Sequence, residues 1–155
     1  MLIQETAILA VATTRPVPRV DEVMTPDPRT LPARASVNDA MMLLRHENIR
    51  HVPVLDERGK LVGMVSDRDL LGFPLPPLAG DGPLNPLRSP VDVTLDAAMS
   101  RQPQTCRPDA PLLDALRTLL TLKVGALPVV AEDGTLVGIL TTVDILTWLE
   151  ARLAA

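Results

Sequence analysis

One pattern is written twice along this chain, at a constant offset of 75 positions. Met24 recurs as Met99, Thr30 as Thr105, Asp39-Ala40 as Asp114-Ala115, and Leu44 as Leu119. Pro53-Val54 recurs as Pro128-Val129, Gly59 as Gly134, Leu61-Val62-Gly63 as Leu136-Val137-Gly138, and Asp69 as Asp144. The register never slips, so neither copy carries an insertion. A repeat of this kind constrains the architecture before any local reading, and two copies are a pseudo-symmetric pair, too few for a solenoid. One copy alone has too much surface for its volume, so the two are expected to share a core and fold as one module. The division that follows is an N-terminal extension over 1–20, a first repeat over 21–72, a Pro/Gly-rich linker over 73–94 and a second repeat over 95–152. Sites in such pairs form at the seam.

Local signals give each copy the same element order. Pro26 and Pro28 forbid helix and favour an extended start, continued by Thr30-Leu31 as a short strand. Ser36 is placed to cap a helix with Asp39 three residues on, and Val37, Ala40, Met41 and Leu44 fall at helical spacing up to about Asn48. Residues 51–56 and 61–65 read as a hairpin with its turn at 57–60, after which Ser66 caps a second helix limited by Pro74. In the second copy Thr105 begins a strand. Asp109 or Ala110 caps a helix through Leu112, Ala115, Leu116, Leu119 and Leu120, with Pro111 in its first turn. A hairpin follows with strands at 126–130 and 136–140, and Thr141 caps a closing helix through Ile145, Leu146, Trp148 and Leu149. Residues 1–20 read as a short helix or strand packed beside one copy. Residues 73–90 read as linker or ordered excursion.

Composition excludes several function classes. Net charge is −4, which disfavours duplex nucleic acid and anionic membrane as bulk electrostatic partners. Phe73 and Trp148 are the only aromatic rings, so the stacking platforms of single-strand binders are missing and the core must be aliphatic. The single cysteine, Cys106, reads as a small buried apolar residue and suits a reducing compartment. Glu5 interrupts the apolar N-terminus, which has no basic flank, so neither a signal peptide nor a spanning helix is expected and the chain reads as cytoplasmic. Two histidines and one cysteine show no metal-ligand spacing, and no phosphate-binding Gly-rich loop or nucleophile triad appears. The expectation is that this is not an enzyme and needs no metal.

Each copy closes with one string: Gly63-Met64-Val65-Ser66-Asp67-Arg68-Asp69, and Gly138-Ile139-Leu140-Thr141-Thr142-Val143-Asp144. Ser/Thr-x-x-Asp before an apolar run has the form of a capping box, which needs no ligand. The strand glycines add something, because Gly inside a strand marks close approach of a ligand or another backbone. With the Met24-Thr25-Pro26 start (weaker at Met99-Ser100-Arg101) and the strands Val52-Pro53-Val54 and Leu127-Pro128-Val129, these strings closely resemble the CBS-domain family in its paired form, the Bateman module. The resemblance covers about residues 20–72 and 95–152.

That resemblance implies an α+β fold: a tandem pair of β-α-β-β-α repeats related by a pseudo-two-fold axis, with two quasi-equivalent clefts where they meet. It implies an adenosyl ligand in each cleft: AMP, ADP, ATP or S-adenosylmethionine. Carried over by position, one cleft would use Thr141, Asp144 and Ile139 with Met24, Arg29, Ile49, Arg50 and His51. The other would use Ser66, Asp69, Met64 and Arg68 with Met99, Gln104, Val124, Gly125 and Ala126. A carboxylate suits ribose hydroxyls through charge-assisted bonds. Arg50 and Arg29 could offset its charge beside a phosphate, which makes the Asp144 cleft the expected tighter phosphate site. Arg50-His51 in one copy faces Gly125-Ala126 in the other, so the clefts should be unequal.

Two functions compete. One is an energy or metabolite sensor acting on a separate target protein and pairing into a homodimer. Its apolar helix faces (Leu43, Leu44, Leu116, Leu119, Leu120, Leu146, Trp148) serve as core or as that interface. The other is a ligand-free structural or dimerisation module whose aspartates only cap.

Overall fold

Each half of the molecule begins inside the other half. The computed structural model describes residues 16–73 and 93–154. The first copy runs through a short 3-10 helix (Val20–Glu22), β1 (Thr25–Pro26), β2 (Leu31–Pro32), α1 (Val37–His46), β3 (His51–Leu55) and β4 (Leu61–Ser66). The second runs through α2 (Leu95–Ala98), β5 (Ser100–Arg101), α3 (Leu112–Leu122), β6 (Ala126–Val130), β7 (Leu136–Thr141) and α4 (Thr142–Leu153). Two sheets result, in the orders β2-β3-β4-β5 and β1-β7-β6.

The sheet orders show the exchange. β1 of the first copy pairs antiparallel with β7 of the second, Thr25 opposite Ile139 and Pro26 opposite Gly138. β5 of the second pairs antiparallel with β4 of the first, Ser100 opposite Met64 and Arg101 opposite Gly63. The helical turns ahead of these strands cross over as well. Val20 is fully buried among Leu112, Ala115, Leu119, Leu127, Val129 and Leu140, while its counterpart Leu95 is fully buried with Val37, Ala40, Leu44, Val52 and Val65. The expectation of one shared core is therefore corrected: there are two cores, each completed by a residue of the other copy. A separate small cluster of Met64, Ala126 and Ile139 lies between them. Each hairpin supplies a strand buried on both faces, and two sheets of this kind carry two interiors, not one.

The strand glycines are explained by the same crossing. A Cβ on Gly138 would overlap the Met24 thioether and lie 3.1 Å from the Thr25 carbonyl oxygen. A Cβ on Gly63 would overlap the Met99 thioether and lie 3.1 Å from the Ser100 carbonyl oxygen. What approaches the glycines is the exchanged segment of the partner repeat.

The 75-position register holds to the level of single dihedrals. Among the described residues the left-handed ones form three pairs: Asp27 with Gln102 (φ 49° and 48°), Asn48 with Lys123 (53° and 54°), and Gly59 with Gly134 (75° and 81°). The glycines serve the two hairpin turns. Lys123 ends α3 in a conformation that Asn tolerates better, at a cost of about 1 kcal/mol. Each hairpin carries one register irregularity, at Val54/Leu55 and at Val129/Val130.

Three local expectations are corrected. Residues 67–73 form turns, not a helix after Ser66, since Gly72 and Pro74 leave no length for one. The strand expected at Thr105 contracts to a bridge between Cys106 and Val129. In the first copy the Ala33 N–H extends the pairing to the Leu55 carbonyl at 3.0 Å, whereas the matching residue, Pro108, has no N–H to give. α3 is capped by the backbone of Pro111, not by Asp109 or Ala110. The 3-10 helix and α2 are additional elements, too short to leave a periodic signal. Ser36 does cap α1 with Asp39, and Val37, Ala40, Met41 and Leu44 are its buried face. The readings for residues 1–15 and 74–92 lie outside the described residues. Among the described residues no helix is long and apolar enough to cross a membrane.

Gly63→Ala and Gly138→Ala should each destabilise the fold by about 1–3 kcal/mol through overpacking, measured by urea unfolding. Gly63→Ala should cost more, because Met99 is buried while Met24 is half-exposed and freer to move.

Candidate functional site

The two Ser/Thr-x-x-Asp strings fold into the same hydrogen-bonded loop at the ends of β4 and β7. Oδ2 of Asp69 accepts from the Ser66 N–H at 2.7 Å and from its hydroxyl at 2.8 Å, and the Asp69 N–H donates back to Ser66 Oγ at 3.3 Å. Oδ2 of Asp144 accepts from the Thr141 N–H at 2.7 Å and its hydroxyl at 2.6 Å, and the Asp144 N–H donates to Thr141 Oγ1 at 3.1 Å. The capping boxes are thus formed. Each uses one carboxylate oxygen and leaves the other.

At Asp144 that second oxygen reaches across the seam. The Thr25 hydroxyl donates to Asp144 Oδ1 at 2.8 Å, joining β1 of the first copy to the start of α4. Among the described residues Ser100, which matches Thr25, makes no such bond to Asp69. Thr25 was missed as a site residue in the sequence. Its signal was the retained hydroxyl at offset 75 (Thr25 and Ser100), ahead of a motif that ends in a carboxylate.

The remaining candidates fall into three groups. Met24, Ile139, Thr141 and Asp144 come together around the β1–β7 pairing. Met99, Met64, Ser66 and Asp69 come together around β4–β5. The third group precedes β3, β6 or α3 and makes no side-chain bond to either string among the described residues. Ile49 packs against the first core, Val124 is exposed, and the Gln104 amide donates to the neighbouring Thr105 carbonyl at 3.4 Å.

His51 sits between the halves. A Cβ on Gly125 would lie 2.9 Å from His51 Cε1 and 3.1 Å from Nε2, so the ring occupies the space that Gly125 leaves empty. His51 to Gly125 is therefore a packing complement across the pseudo-axis, with Ala126 buried beside it in the small seam cluster. The strands also start alike, since Asp67 N–H donates to the Arg50 carbonyl and Thr142 N–H to the Gly125 carbonyl, both at 3.0 Å.

The cations differ in their commitments. Arg50 Nε pairs with Asp67 at 2.9 Å and Arg29 with Glu47 at 3.4 Å. Arg68 is exposed and makes no ion pair among the described residues. Burial pushes His51 below the ordinary imidazole range against the opposing pull of Asp67, with Arg50 adding to the depression. Burial also pushes the Cys106 thiol up to about 11, which keeps it a protonated, poorly nucleophilic group at neutral pH. Among the described residues no group of three His, Cys, Asp or Glu side chains is arranged to hold a metal ion.

Comparison with known proteins identifies the repeat. The CBS domain profile matches residues 20–75 and 92–151, so this chain belongs to the CBS-domain family and is a tandem pair of its domains. The chain is similar to CBSX2 of Arabidopsis thaliana, solved in complex with AMP, with TM-score 0.69 and 29% identity over 86% of this chain and 98% of that one. It is similar to the CBS domain pair of protein MJ0100, solved with 5'-methylthioadenosine and S-adenosyl-L-methionine, with TM-score 0.73 and 26% identity over 88% and 99% of the two chains. Among curated relatives it is 35% identical over 128 residues to the A-adding tRNA nucleotidyltransferase of Aquifex aeolicus, covering 83% of this chain but 14% of that protein.

The depressed His51 pKa gives a signed expectation for stability. The unfolded chain takes up the proton at about pH 6.5, before the buried ring does, so this stability is intact above that value. It is lost as pH falls from about 6.5 through the folded pKa. The melting temperature should drop between pH 7 and pH 5, and His51→Gln should flatten that drop whereas His46→Gln, at an exposed position, should not.

Proposed function

We propose that this chain is a non-catalytic regulatory module that binds an adenosine-containing ligand at the seam between its two CBS repeats. One observation carries this reading: Asp144, anchored in its own repeat through Oδ2, presents Oδ1 to a hydroxyl of the other repeat. An acceptor fixed in that way is suited to a ribose hydroxyl, and the charge makes the bond stronger than a neutral one. The AMP complex of CBSX2 and the adenosyl complexes of the MJ0100 pair support the ligand class. The aliphatic seam cluster of Met64, Ala126 and Ile139 suits an adenine face.

In this reading the first cleft uses Asp144, Thr141, Ile139 and Met24, with Arg29, Arg50 and His51 toward its edge. The second uses Asp69, Ser66, Met64, Met99 and Arg68, with Gln104, Val124, Gly125 and Ala126 toward its edge. Ligand binding biases the relative setting of the halves, and the signal passes to a separate target protein. The module works as a homodimer. No residue of α4 is buried, and Val143, Leu146 and Leu153 are 61%, 64% and 76% exposed on it, a surface that a second copy would cover.

A ligand-free module is the second reading, favoured by the completed capping boxes. A thermal melt with AMP, ADP, ATP and S-adenosylmethionine separates the two. At a hundred times its dissociation constant, the cognate ligand should add about 2.7 kcal/mol of stability and raise the melting temperature by several degrees. A melting temperature unmoved by all four supports the structural module.

A further inference from the structure

We infer that the two clefts fill in a fixed order, the Asp69 cleft first, and that Thr25 sets this order by acting as a built-in competitor for the ligand's hydroxyl. The inference rests on the adenosyl-binding reading above. It reverses the order expected from the arginines alone.

Three observations point the same way. The oxygen of Asp144 left free by the capping box already accepts a hydroxyl, that of Thr25, at 2.8 Å. A ribose hydroxyl reaching Asp144 must displace or share that bond. The corresponding oxygen of Asp69 accepts no hydrogen bond among the described residues, although Ser100 occupies the position that matches Thr25. The two loops are otherwise alike, with the same three internal bonds.

The cations follow the same division. Of the arginines expected to serve a phosphate near Asp144, Arg50 lies instead against the Asp69 turn, paired with Asp67, and Arg29 is paired with Glu47. Recruiting either one to a ligand breaks an existing pair. Arg68, adjacent to Asp69 in the same turn, has no pair to break among the described residues. A free carboxylate oxygen and the unpaired Arg68 therefore stand together at the Asp69 turn among the described residues, while the second oxygen of Asp144 is committed to Thr25.

The difference between the repeats is small in chemical terms. A threonine hydroxyl and a ribose hydroxyl are similar donors, so Thr25 imitates the ligand at its own site. The imitation also links the halves, because Thr25 lies in β1 and Asp144 in α4. Filling the Asp144 cleft would exchange a contact within the protein for a contact to the ligand, which filling the Asp69 cleft does not.

Calorimetric titration of the whole chain with AMP, repeated with S-adenosylmethionine, tests this order. The wild-type chain should show a tighter and a weaker phase. Asp69→Asn should weaken the tighter phase about tenfold or more, the scale for loss of a charged hydrogen bond. Thr25→Val should leave the tighter phase in place and strengthen the weaker one several-fold. Thr25 is exposed and valine has nearly its shape, so this variant reads the proposal without disturbing either capping box. Loss of the tighter phase in Asp144→Asn, or a weaker phase unchanged or weakened by Thr25→Val, overturns the order while leaving adenosyl binding intact. Absence of any binding of AMP or S-adenosylmethionine by the wild-type chain overturns both the order and the functional reading beneath it.

Discussion

Two strands of two residues each decide the form of this molecule. β1 lies on β7 and β5 lies on β4, so each sheet is closed along one edge by a segment of the other repeat. The close packing that makes this possible is the fit of Met24 over Gly138 and of Met99 over Gly63. Everything else at the seam depends on it. Thr25 is brought to Asp144 because it follows Met24. Val20 and Leu95 reach the opposite cores because they precede the crossing strands.

Much of this was legible in the sequence, and the limits are physical. The 75-position register announced the pair, and the structure honours it even in the left-handed residues and the hairpin irregularities. Ser36 and Thr141 were readable as helix caps because capping depends on nearest neighbours in the chain, whereas Ser66 makes the same bonds to Asp69 with no helix behind it. The exchange was not readable. Periodicity says that Val20 and Leu95 are apolar but not which of two equivalent interiors receives them, and a symmetric repeat makes either choice equally consistent. The missing helix after Ser66 belongs to another class of failure, in which the motif repeats while the material after it does not. Gly72 and Pro74 stand where the second copy has Thr147 and Leu149.

The candidate site was legible by residue type and less so by arrangement. The aspartates, the hydroxyls beside them and the methionines are where the motif places them. Arg50-His51 against Gly125-Ala126, which reads in the sequence as a contrast between two clefts, is in part a single packing event, since the ring of His51 needs the space that Gly125 provides. The asymmetry that bears on chemistry lies in the exchanged strand, at Thr25, where residue types at offset 75 differ by one methyl group. Pseudo-symmetry conceals differences of this size, because both members of the pair satisfy the same pattern.

The burial of Val20 and Leu95 in opposite cores also governs how the chain reaches this state. Thr25 and Asp144 are 119 residues apart, and Val20 likewise meets its core across about a hundred positions, while Leu95 closes the other core over shorter spans. Topologies dominated by such distant pairings fold slowly, since the chain must close its largest loops before gaining much in return. Neither half can finish its interior from its own residues, so partial folding of one repeat leaves a gap of one strand and one apolar side chain. The sequence contains two copies of a unit, but the unit that folds is the pair.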